Sequence, residues 1–306
     1  MSKKISVVLP ALNERENLAV LIPEILEVLA EFDSDYEVLV VDDGSTDGTR
    51  KFVRAFGVPE VRCLRLRRNS GKSAALNIGL ANADGDVVAV MDADGQDDPR
   101  ELPRLVEAVD GAFDLVTGRR ATRNDRFVKR HTSKVYNAVT RAVTGVEGRD
   151  FNSGFKVMTA EVARNLHLYG ELHRYIPVLA AWQGFAVTEV DVNHRARFSG
   201  SSKFGIVRFW RGLLDLVTVK FLVQYRTRPF HLFGGLGVVL GAVGSGILTW
   251  MMIAKLLGNP IGQRPALILG VLLVVVGVQM LSLGLIAELV VNLHHRRNFD
   301  DSVETD

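Results

Sequence analysis

Cysteine is nearly absent from this 306-residue chain, which carries only Cys63. A lone cysteine excludes an intrachain disulfide and any cysteine-based metal centre, and it fits a reducing compartment. Excess charge is missing too: 37 Lys and Arg stand against 35 Asp and Glu, a formal net of +2, so no global electrostatic argument points to nucleic acid as a partner. No signal peptide is expected either. After Lys3-Lys4 the apolar run stops at Pro10, too short for the core of a leader.

What the chain has in abundance is apolar sequence near its end. Residues 230–254 and 266–291 are long apolar stretches interrupted only by His231, Gln279 and Glu288. At 1.5 Å per residue, such a stretch makes a helix of roughly 38 Å, enough to cross about 30 Å of hydrocarbon with some tilt. Two buried core helices would not need runs so long, so the sequence predicts a transmembrane hairpin over residues 230–292 and a charged cytosolic tail over 293–306. Before it, residues 206–223 carry Phe209, Trp210, Leu213, Leu214, Val217 and Phe221 with Arg208, Arg211 and Lys220. That mixture suits an amphipathic helix in the membrane interface, placed within residues 206–229.

The first part reads as strand alternating with helix. Strands are expected at residues 5–9, 36–41, 61–66 and 86–91. Asn13 is expected to cap the first helix, Ser45 or Thr46 the second, and Pro99 to open the fourth. Four such repeats argue for an α/β fold with a doubly wound, mostly parallel sheet, in a catalytic domain of residues 1–205. Ligands of such sheets sit beyond the carboxyl ends of the strands. Three polar segments fall there: Pro10-Ala11-Leu12-Asn13-Glu14, Asp42-Asp43-Gly44-Ser45-Thr46-Asp47, and Asp92-Ala93-Asp94-Gly95-Gln96.

The last segment is the most informative. The run Val87-Val88-Ala89-Val90-Met91 ends in two carboxylates one residue apart. On an extended chain they point to one side, so Asp92 and Asp94 are expected to converge. With Gln96 they make a hard-oxygen set suited to Mg²⁺ or Mn²⁺; the competing reading is an ordinary acidic turn. Asp42 and Asp43 suit ribose hydroxyls or a base N–H, against helix capping by Asp47 and Ser45. Gly71-Lys72-Ser73 resembles the end of a P-loop, but Leu66 stands where that loop needs glycine, which excludes it. Lys72 is left to meet a phosphate or to lie in solvent.

Together with Asn69-Ser70-Gly71-Lys72, Asp97-Asp98-Pro99, Asp150-Phe151-Asn152-Ser153-Gly154-Phe155-Lys156 and Arg197-Phe198-Ser199-Gly200-Ser201-Ser202-Lys203, these segments resemble the family-2 glycosyltransferases of GT-A fold. Within them the chain is similar to the polyprenyl-phosphate glycosyltransferases, relatives of dolichol-phosphate mannose synthase. The resemblance covers roughly residues 5 to 205, and a two-helix tail is common in one branch. It implies an enzyme that moves a hexose, with inversion, from a nucleotide sugar of UDP-glucose or GDP-mannose type to a polyprenyl phosphate. It also implies a homo-oligomer such as a tetramer, and a bacterial-type inner membrane with the catalytic domain facing the cytoplasm. The Gln-x-x-Arg-Trp of processive synthases is absent, which argues against polymerisation.

By that resemblance, Pro10, Ala11, Asn13, Glu14, Asp42, Asp43, Lys72, Asp92 and Ala93 belong to the donor site, and Asp92, Asp94 and Gln96 to the metal. Arg119, Arg130, Ser133, Arg197 and Lys203 are assigned to the acceptor phosphate, and Asp94, Asp150, Arg130 and Arg197 to catalysis. Asp150 is expected either to orient sugar hydroxyls or to act as base, with Glu171 a second candidate. The run from Arg119 to Arg130, followed by an amphipathic stretch over residues 127–143, is read as an acceptor surface against the alternative of a solvated basic loop. His131, His167, His173 and His194 are scattered and carry no assigned role. Two rivals stand beside this reading: transfer to a hydroxyl of a glycosylated lipid, and a non-catalytic nucleotide-binding scaffold on the membrane.

Overall fold

A computed structural model describes residues 3–120, 140–141, 145–146, 148, 150–195, 221, 228–258 and 265–300. The chain divides into two compact units, residues 1–219 and 220–306. The expected helices over 127–143 and 206–223 lie almost wholly outside the described residues.

In the first unit, four parallel strands alternate with helices: β1 (Ile5–Ala11), α1 (Arg15–Leu29), β2 (Tyr36–Asp42), α2 (Thr49–Ala55), β3 (Val61–Arg65), α3 (Lys72–Ala81), β4 (Val87–Val90) and α4 (Leu102–Gly111). Then come β5 (Leu115–Arg120), β6 (Lys156–Thr159), α5 (Ala160–Asn165), α6 (Ile176–Trp182) and β7 (Val187–Val192). The seven-stranded sheet has the order β3-β2-β1-β4-β6-β5-β7. β6 runs antiparallel to β4 and β5, which makes the sheet mixed but mostly parallel.

Apolar residues drive the assembly. Val7, Leu9, Val38 and Val40 pack under Leu18, Leu21, Ile22 and Ile25 of α1, all fully buried. Each such side chain contributes about 1.5–3 kcal/mol of transfer free energy. β1 does not stop before Pro10 as expected, because its ladder to β4 ends at Val8↔Val90 while that to β2 continues to Ala11↔Asp42. With a neighbour on one side only, the missing proline N–H costs little.

Two helix starts also differ from expectation. Asn13 adopts a left-handed φ of 58° and its Oδ1 accepts from the Thr46 N–H at 2.8 Å, across to the next loop, and α1 begins after Glu14 without a side-chain cap. α2 begins at Thr49, after Gly48, where Asp47 Oδ1 accepts from the Thr49 N–H and hydroxyl. Neither Ser45 nor Thr46 caps it. The first turn of α4 is a 3₁₀ turn over Pro99–Glu101, opened by Pro99 as expected and capped by Asp98, which accepts from the Arg100 N–H.

In the second unit, α7 (Pro229–Leu256) and α8 (Pro265–Asp300) form an antiparallel pair, and Pro229–Leu256 and Pro265–Val291 are each long and apolar enough to cross a membrane. Glycine lets them approach: a methyl on Gly237 would lie 2.7 Å from the Gly277 carbonyl, and one on Gly244 2.8 Å from that of Gly270. Gly277 also faces the Gly241 backbone, where a methyl on Gly277 would lie 2.9 Å from the Gly241 nitrogen, whereas one on Gly241 itself would point into open space.

At the end of the sheet away from the polar loops, buried Glu37 accepts from the Ser6 hydroxyl at 2.7 Å, the Asp84 N–H at 2.8 Å and the Arg62 guanidinium at 2.9 Å. Burial acts to raise its pKa, but these donors and the charges of Lys4 and Arg62 more than reverse it, leaving the carboxyl below its ordinary value. A depressed carboxylate stabilises the fold above its unfolded pKa, and that contribution fades as pH falls through the folded one. Glu37→Gln should therefore cost about 1–3 kcal/mol at pH 7, with the gap to wild type closing below the ordinary glutamate range. Thermal unfolding of the detergent-solubilised chain across pH 3–7 measures it.

Candidate active site

The carboxyl ends of β1, β2 and β4 and the start of α3 meet, and buried carboxylates bind their loops together. The Asp43 N–H donates to the Ala11 carbonyl at 2.8 Å. Its own carboxylate, almost fully buried, accepts from the Ser70 N–H at 2.7 Å and the Gly71 N–H at 2.9 Å. This holds the loop that delivers Lys72, the first residue of α3. Asp42, fully buried, accepts from the Ser45 N–H at 2.7 Å, and its second oxygen lies 3.8 Å from Arg65 Nε. The Ser45 hydroxyl accepts from the Asn13 N–H at 2.9 Å. Asp47 links the Arg15 and Thr49 backbones. Asp42 and Asp43 thus build the loops at the ends of β1, β2 and β3 from within. Glu14 accepts from the Asn17 amide, and Pro10 and Ala11 close β1.

Beyond Val90 the chain leaves the strand, so Asp92 and Asp94 are not alternate positions on an extended segment; this corrects the geometry expected from spacing. Asp92 forms an ion pair with Lys72. Asp94, mostly buried, folds back to accept from the Gln96 N–H at 3.1 Å over Gly95, whose φ is 73°. Ala93 between them is buried. Asp97 supports the turn by accepting from the Asp92 N–H at 3.1 Å. Behind it, the Arg195 N–H donates to the Gln96 carbonyl at 2.8 Å, and Arg195 bridges Asp98 and Glu24.

The segment before β6 presses on this turn. A methyl group on Gly154 would lie 2.5 Å from the Asp92 carboxyl carbon. Only glycine allows that approach. Asp150, almost fully buried, is held in a two-point fork by Arg120, Nε to Oδ2 at 2.8 Å and Nη2 to Oδ1 at 3.2 Å. Arg119, the residue assigned to the acceptor phosphate, instead forks onto Asp191, its cross-strand partner on β7. Arg130, Ser133, Arg197 and Lys203 lie outside the described residues.

Four groups escaped the sequence reading: Arg120, Lys156, His173 and Asp97. Lys156 is buried and donates to the Ser153 carbonyl. His173 lies with Nδ1 3.1 Å from the buried Ser73 hydroxyl. The charges act on one another. Burial works to raise Asp92, but the Lys72 charge and hydrogen bond outweigh it and hold that carboxyl at about 2. Burial, then the charges of Asp92 and Asp94, push Asp97 up to about 7. Burial and the nearby Lys72 bring Lys156 down to about 8, against the pull of Asp92, Asp150 and Asp97. Burial and Lys72 bring His173 down to about 2, so its ring is neutral at cellular pH.

Among the described residues no three His, Cys, Asp or Glu side chains are arranged to cage a metal ion. The donor chemistry nonetheless fits Mg²⁺ or Mn²⁺ of the kind that takes one or two protein carboxylates and completes its shell with water and substrate phosphates. Asp94, with Gln96 beside it, offers those hard oxygens at the strand end, and Asp92 is engaged by Lys72.

Comparison with known proteins agrees. The glycosyl transferase family 2 model matches residues 6–182. The chain is 36% identical over 304 residues to dodecaprenyl-phosphate galacturonate synthase of Rhizobium johnstonii, covering 96% of this chain and 90% of that protein. It is 31% identical over 291 residues to undecaprenyl-phosphate 4-deoxy-4-formamido-L-arabinose transferase of Aeromonas hydrophila, covering 94% of this chain and 88% of that protein. Among solved structures it resembles glucosyl-3-phosphoglycerate synthase from Mycobacterium tuberculosis in complex with Mn²⁺ and UDP-glucose, with a TM-score of 0.57, 26% identity, and coverage of 71% of this chain and 79% of that one.

The Gly154 contact makes a test of this geometry. Gly154→Ala must push the Asp92 carboxylate away from Lys72 or move its own backbone. A displacement near 1 Å at a reacting centre costs about a hundredfold. The expected result is sugar transfer reduced by about ten- to a hundredfold with the circular-dichroism spectrum unchanged; full transfer would show that the position of Asp92 is not critical.

Proposed function

The chain belongs to glycosyl transferase family 2, and on that premise we propose that it moves a single sugar from a nucleotide-sugar donor onto the phosphate of a polyprenyl phosphate, with a divalent cation at Asp94 and Gln96. The observation that carries the reading is the charge arrangement at the β4 end: carboxylates and cations interleaved in one half-buried cluster, in a chain that also holds two membrane-length helices. Relatives named for polyprenyl-phosphate products match it nearly end to end. The donor we propose is a UDP-linked hexose or hexuronate. UDP-glucose in the similar solved structure supports the nucleotide, and galacturonate in the name of the relative supports the acid.

Asp94 and Gln96 would hold the cation, whose charge would offset the one that develops on the leaving diphosphate. The remaining work belongs to the chain. Lys72, fixed at the start of α3, lies where it can meet the same diphosphate. An oxygen of the lipid phosphate attacks the anomeric carbon from the face opposite the leaving group. The new C–O bond forms as the bond to the diphosphate breaks, the nucleoside diphosphate departs with that electron pair, and the configuration inverts. No proton has to be removed, since the second pKa of about 6 leaves a phosphate monoester mostly dianionic at pH 7. The Arg120 fork on Asp150 supports this choice. A carboxylate whose two oxygens are both engaged by a guanidinium is a poor proton acceptor and a good positioning group. In this reading Arg130, Ser133, Arg197 and Lys203 gather the lipid phosphate.

Purified full-length protein, incubated with Mn²⁺, undecaprenyl phosphate and labelled UDP-glucose, UDP-galacturonate or GDP-mannose, should label the lipid phosphate with one donor. Asp94→Asn or EDTA should remove nearly all of that transfer. Unphosphorylated polyprenol or a glycosylated lipid serving as the better acceptor would overturn the mechanism, and full activity in EDTA would overturn the metal.

We further propose that both ends of the hairpin face the cytoplasm. Arg208, Arg211, Lys220, Arg226 and Arg228 precede it and Arg296 and Arg297 follow it, whereas the connection holds only Lys255 and Arg264. A cysteine at Gly258 should react with an impermeant thiol reagent on intact cells; labelling only after lysis would reverse the orientation.

A further inference from the structure

Among the described residues Lys156 is a cation of the charged cluster that water scarcely touches and that the mechanism above does not use. In the sheet it stands opposite Val90 on one side and Thr117 on the other, directly under the point where β4 gives way to the acidic turn. Its side chain is 2% exposed, and its ammonium donates to the Ser153 carbonyl. That bond locks a tight segment. The Ser153 N–H returns to the Asp150 carbonyl at 3.2 Å, and the next residue is Gly154, whose Cα lies against the Asp92 carboxylate. Asp92, Asp97 and Asp150 all lie close enough to attract the ammonium, and Lys72 close enough to repel it. Lys72 is about one-third exposed and can shift toward a diphosphate; Lys156 has nowhere to go.

A buried ammonium is costly, and an apolar side chain of the same length would fill the space more cheaply. Packing alone therefore does not account for a lysine here. Its electrostatic consequence is specific. A cation fixed beneath Asp92 and Asp97 offsets part of the negative field at the strand end, and that field sets how tightly a divalent ion is held. Too tight a grip on an ion shared with the leaving diphosphate would slow release of that product, so the grip has an upper useful limit.

We propose that Lys156 is a positioning residue of the transfer site: an internal counter-cation that fixes the Asp150–Gly154 segment against Asp92 and limits the affinity of the acidic strand end for its divalent ion. The inference rests on the metal-dependent reading given above. Its test uses Mn²⁺ alone with the full chain in detergent, so it does not depend on the identity of donor or acceptor.

Mn²⁺ binding is measured by electron paramagnetic resonance or calorimetry for wild type, Lys156→Met, Lys156→Gln and Lys156→Arg, alongside thermal unfolding and turnover. Removing the charge should tighten Mn²⁺ binding about three- to tenfold in the Met and Gln variants. Turnover should fall about tenfold or more, with half-saturation at lower Mn²⁺. The Arg variant should return Mn²⁺ affinity to within about twofold of wild type. A residue needed only for packing predicts the opposite sign, since a loosened site binds metal more weakly. Unchanged or weaker Mn²⁺ binding in both neutral variants overturns the proposal, as does unchanged turnover. Failure of both neutral variants to fold would assign Lys156 to the fold alone and overturn it too. A wild type that binds no Mn²⁺ overturns this inference, and the metal reading falls with it if transfer also persists in EDTA, whereas an inert polyprenyl phosphate would sink only the acceptor assignment.

Discussion

Like charges crowded into a poorly hydrated space at the end of β4 are the constraint on which the rest of this site depends. Asp92, Asp94 and Asp97 fall within six residues of one another, and the latter two are almost fully buried. Left alone, such carboxylates would take up protons, as Asp97 does in part, pushed up to about 7. Asp92 escapes because cations come to it from elsewhere in the fold. Lys72 arrives on α3 and Lys156 on β6, while Arg120 on β5 neutralises Asp150 alongside. The antiparallel insertion of β6 between β4 and β5 is thus more than a departure from parallel order. It carries the internal cation, and the segment leading into it carries the glycine that meets Asp92.

The loops at the ends of β1, β2 and β3 follow a second rule. Loops at strand ends leave backbone N–H groups without ladder partners, and a buried N–H must find one. Asp43 takes those of Ser70 and Gly71, Asp42 that of Ser45, and Asp47 those of Arg15 and Thr49. Each carboxylate joins or closes loops, so the β1, β2 and β3 connections form one rigid cradle. Pre-organisation of this kind would let the nucleotide sugar we propose be held there without the protein spending binding energy on ordering itself.

Much of this was legible in the sequence because it is written in local pattern. Apolar runs ending in polar clusters marked the carboxyl ends of β1, β2 and β4, and the two apolar stretches marked the hairpin to within a few residues. What escaped depends on contacts between distant segments. Nothing in Arg119-Arg120 says which arginine faces Asp150 and which faces Asp191. The choice is made by strand parity once β5 has found β7. Asn13 read as a helix cap because Asn favours caps, yet its partner Thr46 is 33 residues away. Lys156 read as the tail of a motif, since lysine usually signals solvent; only the sheet order reveals that it is enclosed.

In the membrane we propose for it, the helix pair meets the same backbone problem under harsher conditions. Water is scarce in a bilayer, so an unpaired N–H at a helix start costs more there than at a protein surface. α7 opens with Pro229, which has no N–H to satisfy, and the next N–H, that of Phe230, donates to Glu288 at 3.2 Å. The acidic residue that looked like an interruption of the second apolar run is therefore a cap for the first helix, supplied from its neighbour. Its reach depends on the glycine seam. Gly270, Gly277 and Gly284 recur every seventh residue along α8 and each meets α7 closely, Gly284 at Phe230 and Phe233. Lipid offers no hydrophobic drive to bring two apolar helices together, so contact of this closeness has to come from small residues. Larger side chains at those positions would separate the helices and leave Glu288 and the Phe230 N–H without each other, so packing and polar satisfaction in the hairpin are one requirement.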